Sequence, residues 1–540
     1  MTLRRHRLTR TRLLASLAAP LMLFSAACGS TAATTSAGSG GHAGSADGLT
    51  PAGGVTGGGL VGGGAAPGSL GNGSVAGTGS STTAGAFAGT TGSGGSGSGG
   101  VGGGGGGTTG AAGTAGGSTG ATAAKAGDVP GIEKGFIKIG MFRTKNAGAA
   151  YAAIGAEALA GSGKNEQMKQ ALVDEINNNG GIQGLKVRIV PYDIDQSDAS
   201  TSGEVHAQRA CTKWTQDDRV FAAVAGEGPI LDACLKKAGV LEVYDFGAVS
   251  TYDAQAMNEF PLLFEPSGVL ISRQVDFYVK GLVEAGYFTG QTQVPGPPKI
   301  GFMAFDSPVT QRQFKRLNAE LKARTGQTFA KTGFFNGSGD QAAFSAALQN
   351  FMLQFKAAGI NRIMLFDSAG TIAGFGMQAA DKNQYFPRWG FNSTGGAGVY
   401  HGAGLIPESQ LPGMTTVGWL PAADVGLQKG QGAVRPPGLD GCLAIMKKAD
   451  LTFSSDTDLG LAGRFCDALL FFRDAMRAAP GISVNQFGAG AASLGDRFKS
   501  SLIYGTLWNG TRRDGGSIYR TVLYDKPCNC FKYVGGPKQM

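Results

Sequence analysis

Histidine is nearly absent: there are four in 540 residues, and only His206 and His401 lie beyond residue 127. That shortage works against chemistry that needs an imidazole base, and no His or Cys cluster has the spacing of a metal site. Two motif fragments are also incomplete. "ALAGSGKN" has the outline of a phosphate-binding loop, but Ala158 stands where the first Gly belongs and Asn165 where a Mg²⁺-binding Ser or Thr belongs. "FDSAG" has the outline of a nucleophile elbow, but Phe366 replaces the leading Gly. His206 sits mid-helix among polar residues and His401 follows a Gly-rich loop, so both read as surface residues rather than bases. No enzyme activity, cofactor or metal is expected.

Excess charge of one sign is scarce too. Of a formal net charge of +9, five positive charges come from Arg4, Arg5, Arg7, Arg10 and Arg12, unopposed by any nearby acid, which leaves +4 for the rest. The remaining Lys and Arg are spread among acids without the dense stripe that a phosphate backbone needs, so nucleic acid is excluded as a partner. The five Arg precede the apolar run "LLASLAAPLMLF" and the small residues "SAACGS", the pattern of an export signal over residues 1–27. Ser25-Ala26-Ala27 before Cys28 has the form of a lipobox with Ser25 in place of the usual Leu, so two outcomes stand: a lipidated Cys28 or simple cleavage after Ala27. No other apolar stretch is long enough to span a bilayer, and membrane attachment rests on Cys28. The expected location is the outer face of the cell membrane as a lipoprotein, or secreted and soluble under the second outcome.

What the chain has in quantity is glycine, 93 residues of it. From Gly29 to Gly127 the sequence is Gly, Ser, Thr and Ala with Phe87 its only aromatic and Asp47 its only acid, a composition that cannot bury a core. As a flexible coil, residues 28–128 would reach about 50–60 Å, enough to hold a domain off a membrane. Seven Cys are an odd number; with Cys28 given to lipid the other six form three bridges in an oxidising location. Cys211 and Cys234 flank "VFAAVAG", Cys442 and Cys466 bracket a similar span, and Cys528 and Cys530 form C-N-C, but spacing alone leaves the pairing open.

From Val129 onward, apolar runs of strand length alternate with amphipathic helices. The strands read as "FIKIGMF", "KVRIVPY", "VFAAVAG", "VLEVYDF", "KIGFMAF" and "RIMLF"; "SGEVHAQRACTKW" and "TQRQFKRLNAELKARTG" are among the helices. Such alternation means an α/β protein with parallel sheets covered by helices. More than four hundred residues exceed one core, and the Pro-rich "TGQTQVPGPPKI" separates two β-α series, so two lobes are expected. The junction "DEINNNGGIQGLKVRIVPYDI" ends a helix at Gly180 and Gly181 and enters a strand within a few residues.

With that junction between "IKIGMF" and "KVRIVPYDID", and "VFAAVAG" after the next helix, residues from about Ile137 to Tyr533 resemble the leucine/isoleucine/valine-binding family of ABC-transporter solute receptors. "GDQAAFSAALQNFMLQFKAAGINRIMLF" matches that family's second-lobe helix and strand. The resemblance implies a type I periplasmic binding protein: two α/β lobes joined by three crossovers and closing on a ligand, with no chemistry after binding. It places the first lobe at about 129–262 and 413–505 and the second at about 263–412 and 506–540 of this chain. It also implies a bridge between Cys211 and Cys234; Cys442 with Cys466 and Cys528 with Cys530 complete the expected set.

Ligands of open parallel sheets bind beyond the strand C-termini. There the resemblance assigns Tyr151 as an aromatic wall, Gly226, Glu227 and Gly228 as amide donors, and Ala248 and Ser250 as a second carboxylate-binding turn, with Asp306 and Asp367 ending second-lobe strands. Where the family has an acid for the ligand ammonium, this chain reads "GFNSTGG", offering Asn392 and Ser393, and Glu227 or Asp367 then supplies the missing charge. The expected function is capture of a small amino-acid-like solute, or a related carboxylate or amide, for an ABC permease. The alternative is a sensing or scaffold receptor of the same fold that regulates a partner protein.

Overall fold

The structure, a computed structural model, describes residues 129–152, 160–198, 201–226, 228–245, 252–335, 341–366, 370–427 and 434–540, with the side chains of 150–152, 341–342 and 371 also outside the description. The export signal, Cys28, the Gly-rich segment, Glu227, Ala248, Ser250 and Asp367 lie outside the described residues.

Two sheets organise the chain. The first contains β1 (Ile132–Glu133), β2 (Phe136–Lys145), β3 (Lys186–Asp195), β4 (Ala222–Val224), β5 (Leu241–Val243) and β6 (Leu263–Phe264). β3, β2, β4, β5 and β6 lie side by side and parallel, while β1 folds back antiparallel on the start of β2. The second contains β7 (Ile300–Phe305), β8 (Phe329–Phe335), β9 (Arg362–Phe366), β10 (Arg388–Asn392), β11 (Thr415–Gly418), β12 (Ile518–Asp525) and β13 (Cys530–Gln539). Its order is β13-β12-β11-β10-β9-β7-β8, parallel from β11 to β8 and antiparallel at β11–β12 and β12–β13.

Helices cover both faces of each sheet, which is why the central parallel strands are apolar on both sides. In the first sheet, Ile137, Ile139 and Met141 pack against the helices Asn165–Asn178 and Asp456–Ala478. Trp214, Leu231 and Leu235 cover the opposite face over Ala223. In the second sheet, Phe302 and Ala304 face the helix Ile271–Glu284, and Met303, Ile363 and Leu365 face the helices Gln341–Ala357 and Thr371–Lys382.

The helix-to-strand junction before β3 shows how the sequence sets this geometry. Gly181 has φ 63°, and a Cβ there would lie 2.1 Å from the Leu185 carbonyl, so only Gly fits the return. Asn177, in the last turn of the helix, then pins β3 by accepting from Val187 N at 2.7 Å and donating to its carbonyl at 3.0 Å.

The chain crosses between the sheets three times. It leaves the first after β6, returns after β11, and crosses again before β12. Two lobe limits read from the sequence shift accordingly. Thr415–Gly418, assigned there to the first lobe, is paired with β10 and β12 in the second sheet. Trp508, assigned to the second, packs in the first-lobe core beside Phe471. Local pattern cannot settle either point, because a crossover is defined by the sheet on which the chain lands.

Candidate ligand-binding site

At the C-terminal edge of the first sheet, Gly226 and Gly228 follow β4. Gly228 has φ 85° and ψ −169°, a conformation reserved for Gly, and its carbonyl accepts from Asp232 N at 3.1 Å to open the helix Pro229–Ala238. With Pro first in that helix, the next amides are the ones that lack a helical acceptor.

Beneath this helix start lies a buried acidic knot. Tyr244, just past β5, donates to Asp232 Oδ2 at 2.5 Å, and Tyr252 donates to the same oxygen. Glu242, inside β5, is wholly buried against Asp232. Burial pushes the Asp232 carboxyl up to about 6, against the pull of its Tyr244 and Tyr252 bonds. Burial and the Asp232 charge push Glu242 well above the ordinary range. Burial thus favours the protonated form of both acids, while Tyr244 and Tyr252, which donate to Asp232, favour its charged form.

Beside the knot, two ion pairs reach the same edge. Arg464, from the helix Asp456–Ala478, meets Asp245 at 2.8 Å. Lys169 bonds the Phe142 carbonyl at 2.5 Å and Glu166 at 2.6 Å, and lies 5.0 Å from the centre of the Phe465 ring. Burial lowers the Lys169 pKa, with Glu166 opposing the shift. Sequence reading missed both cations; the one available signal was a basic residue inside an otherwise apolar helix pattern, as in "GLAGRFCDALLFF".

At the C-terminal edge of the second sheet, Asp306 follows β7 and is exposed. Its backbone amide donates to the Phe335 carbonyl at 2.7 Å and its Oδ1 accepts from Gln311 at 3.0 Å. Asn392 and Ser393 turn inward. Asn392 is 2 % exposed, donates to Gln274 Oε1 at 2.7 Å and accepts from Thr394 Oγ1 at 2.7 Å. Ser393, equally buried, accepts from Trp419 N at 2.6 Å and from Leu420 N at 3.1 Å, and donates to Asp424 Oδ2 at 3.2 Å.

Neither a protein-family model nor a curated protein matches this chain. Solved structures do. A solute-binding protein of an ABC transporter from Rhodopseudomonas palustris BisB5, in complex with 3,4-dihydroxybenzoic acid, is similar at 12 % identity and a TM-score of 0.51, over 75 % of this chain and 98 % of that one. A possible leucine/isoleucine/valine-binding protein from Rhodopirellula baltica SH 1 is similar at 13 % identity and a TM-score of 0.50, over 74 % and 96 %. A type 1 periplasmic binding protein from Bordetella pertussis Tohama I is similar at 16 % identity and 0.50, over 74 % and 100 %. The fold is that of the type I periplasmic binding proteins.

The sequence-derived residues sort between the two strand-end edges: Gly226 and Gly228 lie at the C-terminal edge of the first sheet and Asp306 at that of the second. The polar atoms of Asn392 and Ser393 bind Gln274, Thr394, Asp424 and the backbone that follows β11. Tyr151 lies in the short helix Ala147–Ala152, but its side chain is outside the description. Of the two histidines, His206 Nδ1 lies 3.2 Å from the Tyr192 hydroxyl and His401 Nε2 3.0 Å from the Asn529 carbonyl. Among the described residues no three His, Cys, Asp or Glu gather as a metal site, and no helix is long and apolar enough to cross a membrane.

Proposed function

We propose that this chain is an exported receptor that captures a small polar solute, amino-acid-like or a related carboxylate or amide, and passes it to an ABC importer. The observation that carries the reading is the pair of parallel sheets whose strand ends present the Gly226–Gly228 helix start on one lobe and the exposed Asp306 on the other. On this reading Ala248 and Ser250 serve as the second carboxylate-binding turn, and Glu227 or Asp367 answers a ligand ammonium. Cys28 carries the lipid that holds the receptor at the membrane.

The test is a thermal-shift screen of the purified protein against amino acids, amides and aromatic acids. One class raises the melting temperature, since a solute at a hundred times its Kd adds about 2.7 kcal/mol. Ser250→Ala then weakens the best solute by roughly 0.5–3 kcal/mol, depending on whether its partner is neutral or charged. Titration calorimetry reads this directly, and unchanged affinity removes Ser250 from the site. Mass spectrometry of the mature N-terminus decides the lipid; an unmodified Cys28 refutes it.

A further inference from the structure

Beside the two strand-end edges, a contact joins the lobes directly. Asp253, in the first lobe and 2 % exposed, accepts from Arg312 Nε at 2.9 Å and from Arg312 Nη2 at 3.0 Å. It accepts from Gln313 Nε2 at 3.0 Å as well. Arg312 and Gln313 belong to the helix Pro308–Thr325, which follows Asp306 in the second lobe. A planar guanidinium set two-pronged on a nearly dry carboxylate is the strong, directional form of an ion pair. Apolar contact surrounds it: Val309, one turn earlier on that helix, packs against the first-lobe cluster of Tyr244, Tyr252 and Phe260.

Both ends of the contact are anchored. In the second lobe, Gln313 Oε1 accepts from Arg316 Nη1 at 2.9 Å, and Arg316 holds Asp276 at 2.6 Å and the Ser272 carbonyl at 3.1 Å. Arg312 and Gln313 thus project from one helix that is braced against the helix Ile271–Glu284. In the first lobe, Asp253 caps the helix Ala254–Asn258 by accepting from Ala256 N at 2.9 Å. The residue before it, Tyr252, is tied to Asp232 of the helix that begins at Gly228. One continuous set of bonds therefore runs from the first edge, through Asp232, Tyr252 and Asp253, to the second lobe just behind Asp306.

We propose that Asp253, Arg312 and Gln313 form an interlobe latch: they are positioning residues that hold the lobes together beside the strand-end edges and so set the affinity for solute without touching it. The latch biases the lobes toward the closed arrangement before a solute arrives, so less of the binding free energy is spent on closure. The effect on affinity rests on the solute-binding reading above; the latch itself does not.

The experiment is hydrogen exchange on the full-length protein without added solute, comparing wild type with Asp253→Asn, Arg312→Met and Arg312→Lys. Asn preserves the helix cap while removing the charge. Exchange in segments 252–260 and 308–316 rises about ten- to a hundredfold in Asp253→Asn and Arg312→Met, on the scale of a charge-assisted bond, while the rest of both lobes is unchanged. Arg312→Lys falls between, keeping the charge but not the two-pronged fit. Wild-type exchange in both segments for Arg312→Met and Asp253→Asn overturns the latch. So does an equal rise everywhere in step with a lower melting temperature, because the contact is then ordinary packing. A latch that passes while no solute class shifts the melting temperature overturns the solute reading alone.

Discussion

At the residue scale, the buried acids make the sharpest statement about stability. Asp424 is completely buried, and burial pushes its carboxyl up to about 8 despite the Ser393 hydrogen bond; burial likewise raises Asp467 to about 7 against the bonds from Ser500 and Ser501. An unfolded Asp ionises near 4, so the folded chain binds protons that the unfolded chain has released. The stabilising contribution is therefore complete below about pH 4 and is lost as pH rises through the folded values, at roughly 1.4 kcal/mol per pH unit per group. Asp424→Asn removes one such proton, and denaturation measured from pH 5 to 8 then shows a shallower decline than wild type. An unchanged slope means Asp424 is ionised in the folded protein. The same scale shows what local pattern leaves out: Asn392 and Ser393 look like polar loop residues in "GFNSTGG", yet their side chains bond Gln274 and Asp424, partners 118 and 31 positions away. Nothing local in the sequence carries that information.

At the scale of elements, legibility follows burial. The six strands read from the sequence are all present: central strands covered on both faces are unbroken apolar runs such as "RIMLF", and the edge strand β3, "KVRIVPY", carries the alternating pattern of a partly exposed one. β8, "FAKTGFF", is an edge strand diluted by Lys, Thr and Gly, and β13, "CFKYVGGPKQ", contains Gly-Gly-Pro and is a strand only by its pairing with β12. Both owe their conformation to a neighbour, which a local pattern cannot see. The cysteines belong to this scale. The fold brings Cys211 and Cys234 to a Cα separation of 6.1 Å, Cys442 and Cys466 to 5.9 Å, and Cys528 and Cys530 to 5.1 Å. We expect these three bridges to form in an oxidising location. The first two each close a loop of 23 or 24 residues, worth about 3 kcal/mol apiece in the chain-entropy account. Non-reducing peptide mapping reads the pairing, and free thiols at 211 and 234 count against it.

At the scale of the whole molecule, two lobes were readable from chain length and β-α alternation, although the Pro-rich break falls inside the second lobe, between the helix Ile271–Glu284 and β7; the joints between the lobes were not readable, because they assemble from segments far apart in the chain. The first and third crossovers run side by side: Glu265 N bonds the Arg513 carbonyl and Gly515 N the Glu265 carbonyl, each at 2.9 Å. Asp514, 1 % exposed, sits at their centre. It accepts from Leu270 N at 3.0 Å and pairs with Arg273 at the start of the second-lobe helix Ile271–Glu284, while Arg512 lies 3.9 Å away. One carboxylate thus ties both crossovers to the second lobe. Removing it leaves the Arg273 and Arg512 guanidinium groups close together without their shared counter-charge and frees an amide in the joint. Asp514→Ala is expected to cost roughly 3 kcal/mol, the low end for breaking a buried pair because Arg273 is 22 % exposed and keeps some water. Since each lobe has its own core, loss of the tie should also uncouple them, and calorimetry should show a broadened or split unfolding transition in place of one. A variant that melts as one sharp transition at the wild-type temperature would place the mechanical coupling elsewhere, in the apolar contacts of the crossovers rather than in Asp514.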